Sequence, residues 1–164
     1  GKTVTVTSLA AGGGDLEEAL PGESLQIGVT GMDAEAHSGA VLCELNADVK
    51  PVVKLEAQLV VLDAKHVITP GYTAMMHIHT AEVPCTVYKL TAELNRKTGE
   101  VAKRHPAFAR TGMRVTAKLR MNQPIVAKPF KDIAKLGRFM LRSEGRTIAV
   151  GTVIRTAKIL EGSK

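Results

Sequence analysis

The chain has 164 residues, 45% apolar and 23% charged, with no Trp and aromatics at 3%; this supports a folded core resting on Val, Leu, Ile, Ala and Met and excludes a disordered or low-complexity chain. No apolar run is long enough to span a bilayer, no secretory signal opens the sequence, and Cys43 and Cys85 lie far apart, so a reducing compartment is expected rather than a disulfide scaffold. The charge is split: residues 1–50 hold two basic residues against eight acidic ones, and residues 51–164 hold twenty against eight, so the second part alone would attract phosphate or an acidic protein surface.

Taken in chain order, the sequence predicts short strands separated by turns. Val4 to Leu9 alternates in period two, as does Leu25 through Ile27 to Val29. Between them "GGG" (12–14) reads as a flexible turn, "DLEEAL" (15–20) as a turn of helix, and Pro21-Gly22 as the centre of a type II turn. "NADVKPV" (46–52) is polar, carries a proline and marks the change of charge sign. It is the best linker. Leu55, Ala57, Leu59 and Val61 resume the alternation. "AMMHIHTAEV" and "CTVYKLTAEL" follow as two strands, then "RVTAKLRMN", "QPIVAKPF", a short helix in "FKDIAKL" (130–136), "GRFMLRS" and "TIAVGTVIRTAKI". Between two of these runs, "NRKTGEVAKRHP" (95–106) reads as a basic hairpin tip with its bend at Thr98-Gly99. Many short strands with frequent turns point to an all-β barrel or sandwich.

Few motifs carry chemistry. "GKT" at 1–3 has the tail of a phosphate loop, but a strand follows it where a helix is needed. No serine stands in a GxSxG context, and no carboxylates pair in a recognisable cleft. "HIHT" (77–80) puts His77 and His79 on one strand face. Two histidines without paired Cys or His spacings elsewhere do not make a zinc site, so neither a metal nor a catalytic residue is assigned. The basic residues are the remaining signal. Arg96, Lys97, Lys103 and Arg104 crowd one hairpin and are candidates for RNA contact. Lys118 and Arg120 share a strand face, as do Arg138 and Arg142. Phe139 and Leu141 point the other way. The aromatics are too few for single-strand recognition by stacking alone, whereas contact to RNA phosphate or to a partner's carboxylates stays open.

"GYTAMMHIHT", "LNRKTGEVAKRHPAF" and "PFKDIAKLGRFMLRSEGRTIAVGTV", preceded by "LPGESLQIGVTGMD…GAVLC", resemble in that order the two C-terminal β-barrels of the translational GTPases related to elongation factor 1 alpha. "HIHT" and "RSEG-TIA-G" look most like the eukaryotic peptide-chain-release factor GTPase subunit 3. "TGEV" and "LGRFMLR" also resemble the Hbs-type ribosome-rescue GTPase, and elongation factor 1 alpha, which binds aminoacyl-tRNA, is third. The resemblance implies an all-β fold: a complete antiparallel Greek-key barrel of the translation-factor type over 52–161, preceded by an incomplete second barrel over 1–48. It implies that the GTPase domain, with its GTP and magnesium, lies outside this sequence. The sequence itself is then expected to be non-catalytic and to hold no cofactor. The implied role is to bind the class-1 release factor, or its rescue paralogue, and help deliver it to the ribosome in the cytoplasm. Carried over residue by residue, partner binding falls to Gly137, Arg138, Phe139, Leu141 and Arg142, with His77 and His79 added from "HIHT". Phe139 and Leu141 anchor the strand while Arg138 and Arg142 face the partner.

Overall fold

The structure, a computed structural model, describes residues 3–32 and 37–157. It separates into two compact units, residues 1–37 and 38–164. The first unit is a three-stranded antiparallel sheet. Strand β1 (Thr5–Ala11) pairs with β2 (Gly14–Asp15) on one side and β3 (Gln26–Thr30) on the other. None of its described residues is fully buried. "DLEEAL" forms no helix: Asp15 is in β2 and residues 16–20 are irregular, because a single stretch this short has no packed face to offset the cost of nucleating a helix. The Pro21-Gly22 turn is present. Gly22 has φ of 104°, and the Glu23 amide donates to the Leu20 carbonyl at 3.3 Å, the pattern of a type II turn.

The second unit is a closed barrel of six antiparallel strands. These are β4 (Pro51–Val61), β5 (Thr73–Ile78), β6 (Ala81–Leu94), β8 (Arg114–Val126), β9 (Arg138–Ser143) and β10 (Arg146–Ala157), with β7 (Val101–Arg104) hairpinned onto β6 outside the closed ring. The order around the barrel is β5, β9, β10, β4, β8, β6, and β5 pairing with β6 closes it. The crossing from β8 to β9 places β9 between β5 and β10. It carries a four-residue helix, α1 (Ala134–Gly137), which occupies the end of the stretch expected to be helical. Residues 38–50 contain no strand and fall within this second unit. Among the described residues no helix is long and apolar enough to cross a membrane.

Alternation builds the core. In β4, Val52, Leu55, Ala57, Leu59 and Val61 point inward. In β8, Val115, Ala117, Leu119 and Met121 do so. Ile78, Val87, Phe139, Leu141 and Val153 complete the filling. No charged or polar residue is buried among the described residues, so the described cations of the barrel strands lie outside its core.

Two strand boundaries differ from the expected ones. "RVTAKLRMN" and "QPIV" are one thirteen-residue strand, β8. The break between "AMMHIHTAEV" and "CTVYKLTAEL" does not exist: the chain turns at His79-Thr80 and then runs unbroken through Pro84. Pro84 is tolerated because β8 joins β6 only from Cys85, opposite Met121. At Pro84 the strand has a partner on one side, and the missing N–H is not needed on the other.

Candidate partner-binding face on β5, β9 and β10

The "GRFMLR" strand, β9, lies between β5 and β10. Its buried half is held by glycines. A Cβ on Gly137 would stand 2.4 Å from the Phe130 Cα and 2.8 Å from the Lys128 carbonyl oxygen, so only glycine lets residues 128–130 fold back over the start of the strand. A Cβ on Gly151 would meet the Phe139 ring at 2.4 Å and Leu59 at 2.8 Å. Gly151 is the cross-strand neighbour of both, and the Phe139 ring covers the space its missing side chain leaves. The chain bends from β9 into β10 through Glu144 and Gly145 alone, with φ of 49° and 76°, the two positive values of a type I′ hairpin turn.

Burial agrees with Phe139 and Leu141 as anchors of the strand but not with these residues, or Gly137, as partner contacts themselves. Gly137, Phe139 and Leu141 are buried and do not reach a partner from where they sit. They fix the strand that presents its neighbours. Arg138 and Arg142 do point outward, but differently. Arg138 is exposed, its guanidinium 5.4 Å from the centroid of the Phe130 ring, within cation–π range. Arg142 is half-buried and donates from Nη2 to the Gly145 carbonyl at 3.0 Å. Its Nε is buried without an acceptor among the described residues.

The two histidines also part company. His77 lies on β5 with Nδ1 3.2 Å from a Glu82 carboxylate oxygen. His79 is not on the same strand face. It opens the β5–β6 turn at φ of 42°, and its Nε2 lies 2.9 Å from the Val126 carbonyl oxygen. Positive φ at the first of two loop residues, as in a type II′ turn, takes His79 out of the alternation on which a shared face depended. Among the described residues no group of three or more His, Cys, Asp or Glu could hold a metal ion.

What the sequence reading missed is apolar. Register sets Met75 beside Arg142, His77 beside Met140, Met140 beside Val150 and Arg138 beside Thr152. Met75, Met140 and Val150 are each more than a third exposed, and together they form a strip on the outer wall with Arg138, Arg142 and His77 around it. Exposed Met and Arg around an apolar centre are what protein interfaces favour. The strip runs into a shallow groove of about 330 Å³ lined by Gln58, Val60, Arg114, Arg138, Val150 and Thr152. The signal was legible as the outward position of Met140 between two arginines; Met75 and Val150 needed the register.

The basic hairpin is present as expected. β6 and β7 pair, and Arg96, Lys97, Lys103 and Arg104 are all exposed. Asn95 Oδ1 accepts the Lys97 amide at 2.8 Å, which fixes the tip. Glu93 and Glu100 stand in the same hairpin and offset part of its charge. The cysteines differ in chemistry. Cys85 is buried, and desolvation raises its thiol pKa to about 12, which a hydrogen bond from the Ala74 backbone only partly opposes. Cys43 is exposed.

Residues 54–154 match the family described as GTP-eEF1A C-terminal domain-like. The chain is 35% identical over 142 residues to the eukaryotic peptide chain release factor GTP-binding subunit of Ogataea pini, which covers 86% of this chain and 19% of that protein. It is 38% identical over 143 residues to elongation factor 1-alpha of Pyrococcus furiosus, covering 85% of this chain and 33% of that one. Among solved structures, sup35 complexed with GDP superposes with a TM-score of 0.88 at 32% identity, over 96% of this chain and 38% of that chain. The chain therefore spans about a fifth to a third of the length of these curated relatives. Barrel topology, the match over most of the barrel and the translation-factor relatives agree: this chain belongs to the GTP-eEF1A C-terminal domain-like family, the C-terminal region of translational GTPases.

Proposed function

We propose that this region is the non-catalytic adaptor of a translation-termination GTPase, binding the class-1 release factor through the outer face of β5, β9 and β10 and helping deliver it to the ribosome. The single observation that carries this reading is the strip of Met75, Met140 and Val150 with Arg138, Arg142 and His77 around it. Burial of an apolar centre supplies affinity, and charge-assisted hydrogen bonds from the arginines to carboxylates or carbonyls supply orientation. The likeness to release-factor GTP-binding subunits supports this choice of partner. GTP and magnesium belong, in this reading, to a GTPase domain elsewhere in a longer cytoplasmic protein. The Arg96, Lys97, Lys103 and Arg104 hairpin contacts ribosomal RNA phosphate.

The test is calorimetric titration of the whole chain with class-1 release factor and, separately, with the rescue paralogue and with aminoacyl-tRNA. Met140→Glu should weaken release-factor binding at least tenfold while leaving the melting temperature unchanged. Tighter binding of the rescue protein would assign the chain to the Hbs-type rescue GTPase. Binding of aminoacyl-tRNA alone would assign it to the elongation factor.

A further inference from the structure

We propose that the outer wall made by β4, β6, β8 and β10 is a second binding face, built for the phosphate backbone of RNA, in which cross-strand pairs of like charge await an anion. It rests on the RNA contact read at the hairpin and extends it along the barrel.

The wall is basic by construction. Arg114, Lys118 and Arg120 recur on the outer face of β8. Register puts Lys54 of β4 directly opposite Arg120, and Lys89 of β6 directly opposite Lys118. Like charges directly opposite one another on a sheet repel and destabilise it. A wall with no partner gains nothing from such pairs; bound phosphate relieves both. Among the described residues, none of Lys54, Lys89, Lys118 and Arg120 has a carboxylate within 4.0 Å. Glu56, which faces Lys118 across the β4–β8 ladder, is held by Arg155, whose Nε lies 2.5 Å from Oε2.

Irregularities in the ladders aim these side chains. In β6 the register slips between Val87 and Lys89, so Tyr88 and Lys89 are both exposed between buried Val87 and Leu90. In β10 it slips between Val153 and Arg155, and Ile154 and Arg155 are both exposed after buried Val153. In the β4–β8 ladder the extra residues are on β8, where 121–124 stand against Val53 alone. A bulge opposes two residues to one and turns successive side chains to one side. Here two bulges, one in β6 and one in β10, deliver Lys89 and Arg155 to the wall on which Lys54 and Arg120 face each other. Lys54, Glu56, Tyr88, Lys118 and Arg155 line a shallow groove of about 240 Å³ there.

The chemistry favours RNA over protein. The outer face of β5, β9 and β10 has the apolar strip proposed for a protein partner. This wall has Tyr88 and Ile154 among six cations, of which, among the described residues, only Arg155 is paired, with Glu56. Flexible lysines suit a polyanion, whose binding is carried by counterion release. An exposed Tyr beside Lys gives a base a surface to stack on. Along β8 the cations lead toward Arg114, the register neighbour of Leu94 at the base of the basic hairpin, so wall and hairpin make one track.

The test measures anisotropy of a fluorescent 20-nucleotide single-stranded RNA, and of the matching RNA duplex, with the whole chain between about 50 and 200 mM salt. Three proteins are compared: the parent, a wall variant (Lys54→Gln, Lys118→Gln, Arg120→Gln) and a hairpin variant (Arg96→Gln, Lys97→Gln, Lys103→Gln, Arg104→Gln). The wall variant should bind at least tenfold more weakly and flatten the slope of log affinity against log salt by about two, at roughly 0.7–0.9 for each phosphate that is no longer neutralised. Arg120→Glu, which sets a carboxylate opposite Lys54, should bind RNA more weakly and melt at a higher temperature. If the wall variant binds RNA like the parent while the hairpin variant does not, the wall proposal falls and the hairpin reading stands. If neither variant differs from the parent, both fall. Selective capture on phosphatidylserine vesicles or polyglutamate without RNA binding also overturns the proposal.

Discussion

Arg138 and Phe130 form a pair across the mouth of the β8–β9 connection, the guanidinium 5.4 Å from the ring centroid. Four residues on, Arg142 spends its Nη2 on the Gly145 carbonyl of its own hairpin. One motif thus holds an exposed guanidinium stacked on a ring and a half-buried one that gives a single Nη to the turn of its own hairpin.

The two should separate experimentally. Arg138→Ala removes an exposed cation–π pair worth about 0.5–1 kcal/mol, so its stability changes little while release-factor affinity falls at least tenfold. Arg142→Ala removes the turn bond and the packed stem of a half-buried side chain, about 1–2 kcal/mol in all. Arg142→Met keeps most of the stem and removes the orphaned Nε along with the turn bond, so it should melt above Arg142→Ala. Urea unfolding of the three variants checks the order.

The glycines of the motif are packing residues. Gly137→Ala drives a methyl into the backbone of Phe130, and Gly151→Ala drives one into the Phe139 ring. Each should cost about 1–3 kcal/mol by overpacking. Combining Gly151→Ala with Phe139→Leu should recover part of the loss if ring and glycine are complementary. Recovery by the double variant in denaturant titration decides this; no recovery would place the strain elsewhere.

Glu144 is held at positive φ in a turn that favours Asn-Gly. Its ion pair with Lys65, at 3.2 Å, is exposed and worth little. Glu144→Asn should therefore raise stability by about 0.5–1 kcal/mol. Thermal melts of the variant and of Lys65→Ala separate the turn effect from the ion pair.

The thiols should react in sequence. At pH 8 a thiol reagent should modify Cys43 at once and Cys85 only after unfolding, because burial holds the Cys85 proton up to a pKa of about 12. The folded state retains a proton that the unfolded chain releases near 9.0, so this group's contribution is intact below pH 9 and is lost as pH rises toward 12. Cys85→Val should lose less stability than the parent between pH 9 and 11. Equal slopes would show that other groups set the alkaline limit.

The all-β class, the outward arginines, the basic hairpin and the Pro21-Gly22 turn followed from sequence alone, because strand alternation and turn chemistry are local and need no knowledge of neighbours. The "DLEEAL" helix and the shared face of His77 and His79 failed for the complementary reason. The first had a local pattern but no surface to pack on, and the second depended on where a two-residue turn fell. Only the closed barrel decided the rest. Register brings Met75, Met140 and Val150 into one strip, fits the Phe139 ring over Gly151 and opposes Lys54 to Arg120. These relations join residues from ten to more than sixty positions apart, and a one-residue slip in a ladder would turn the pairs it sets to opposite faces.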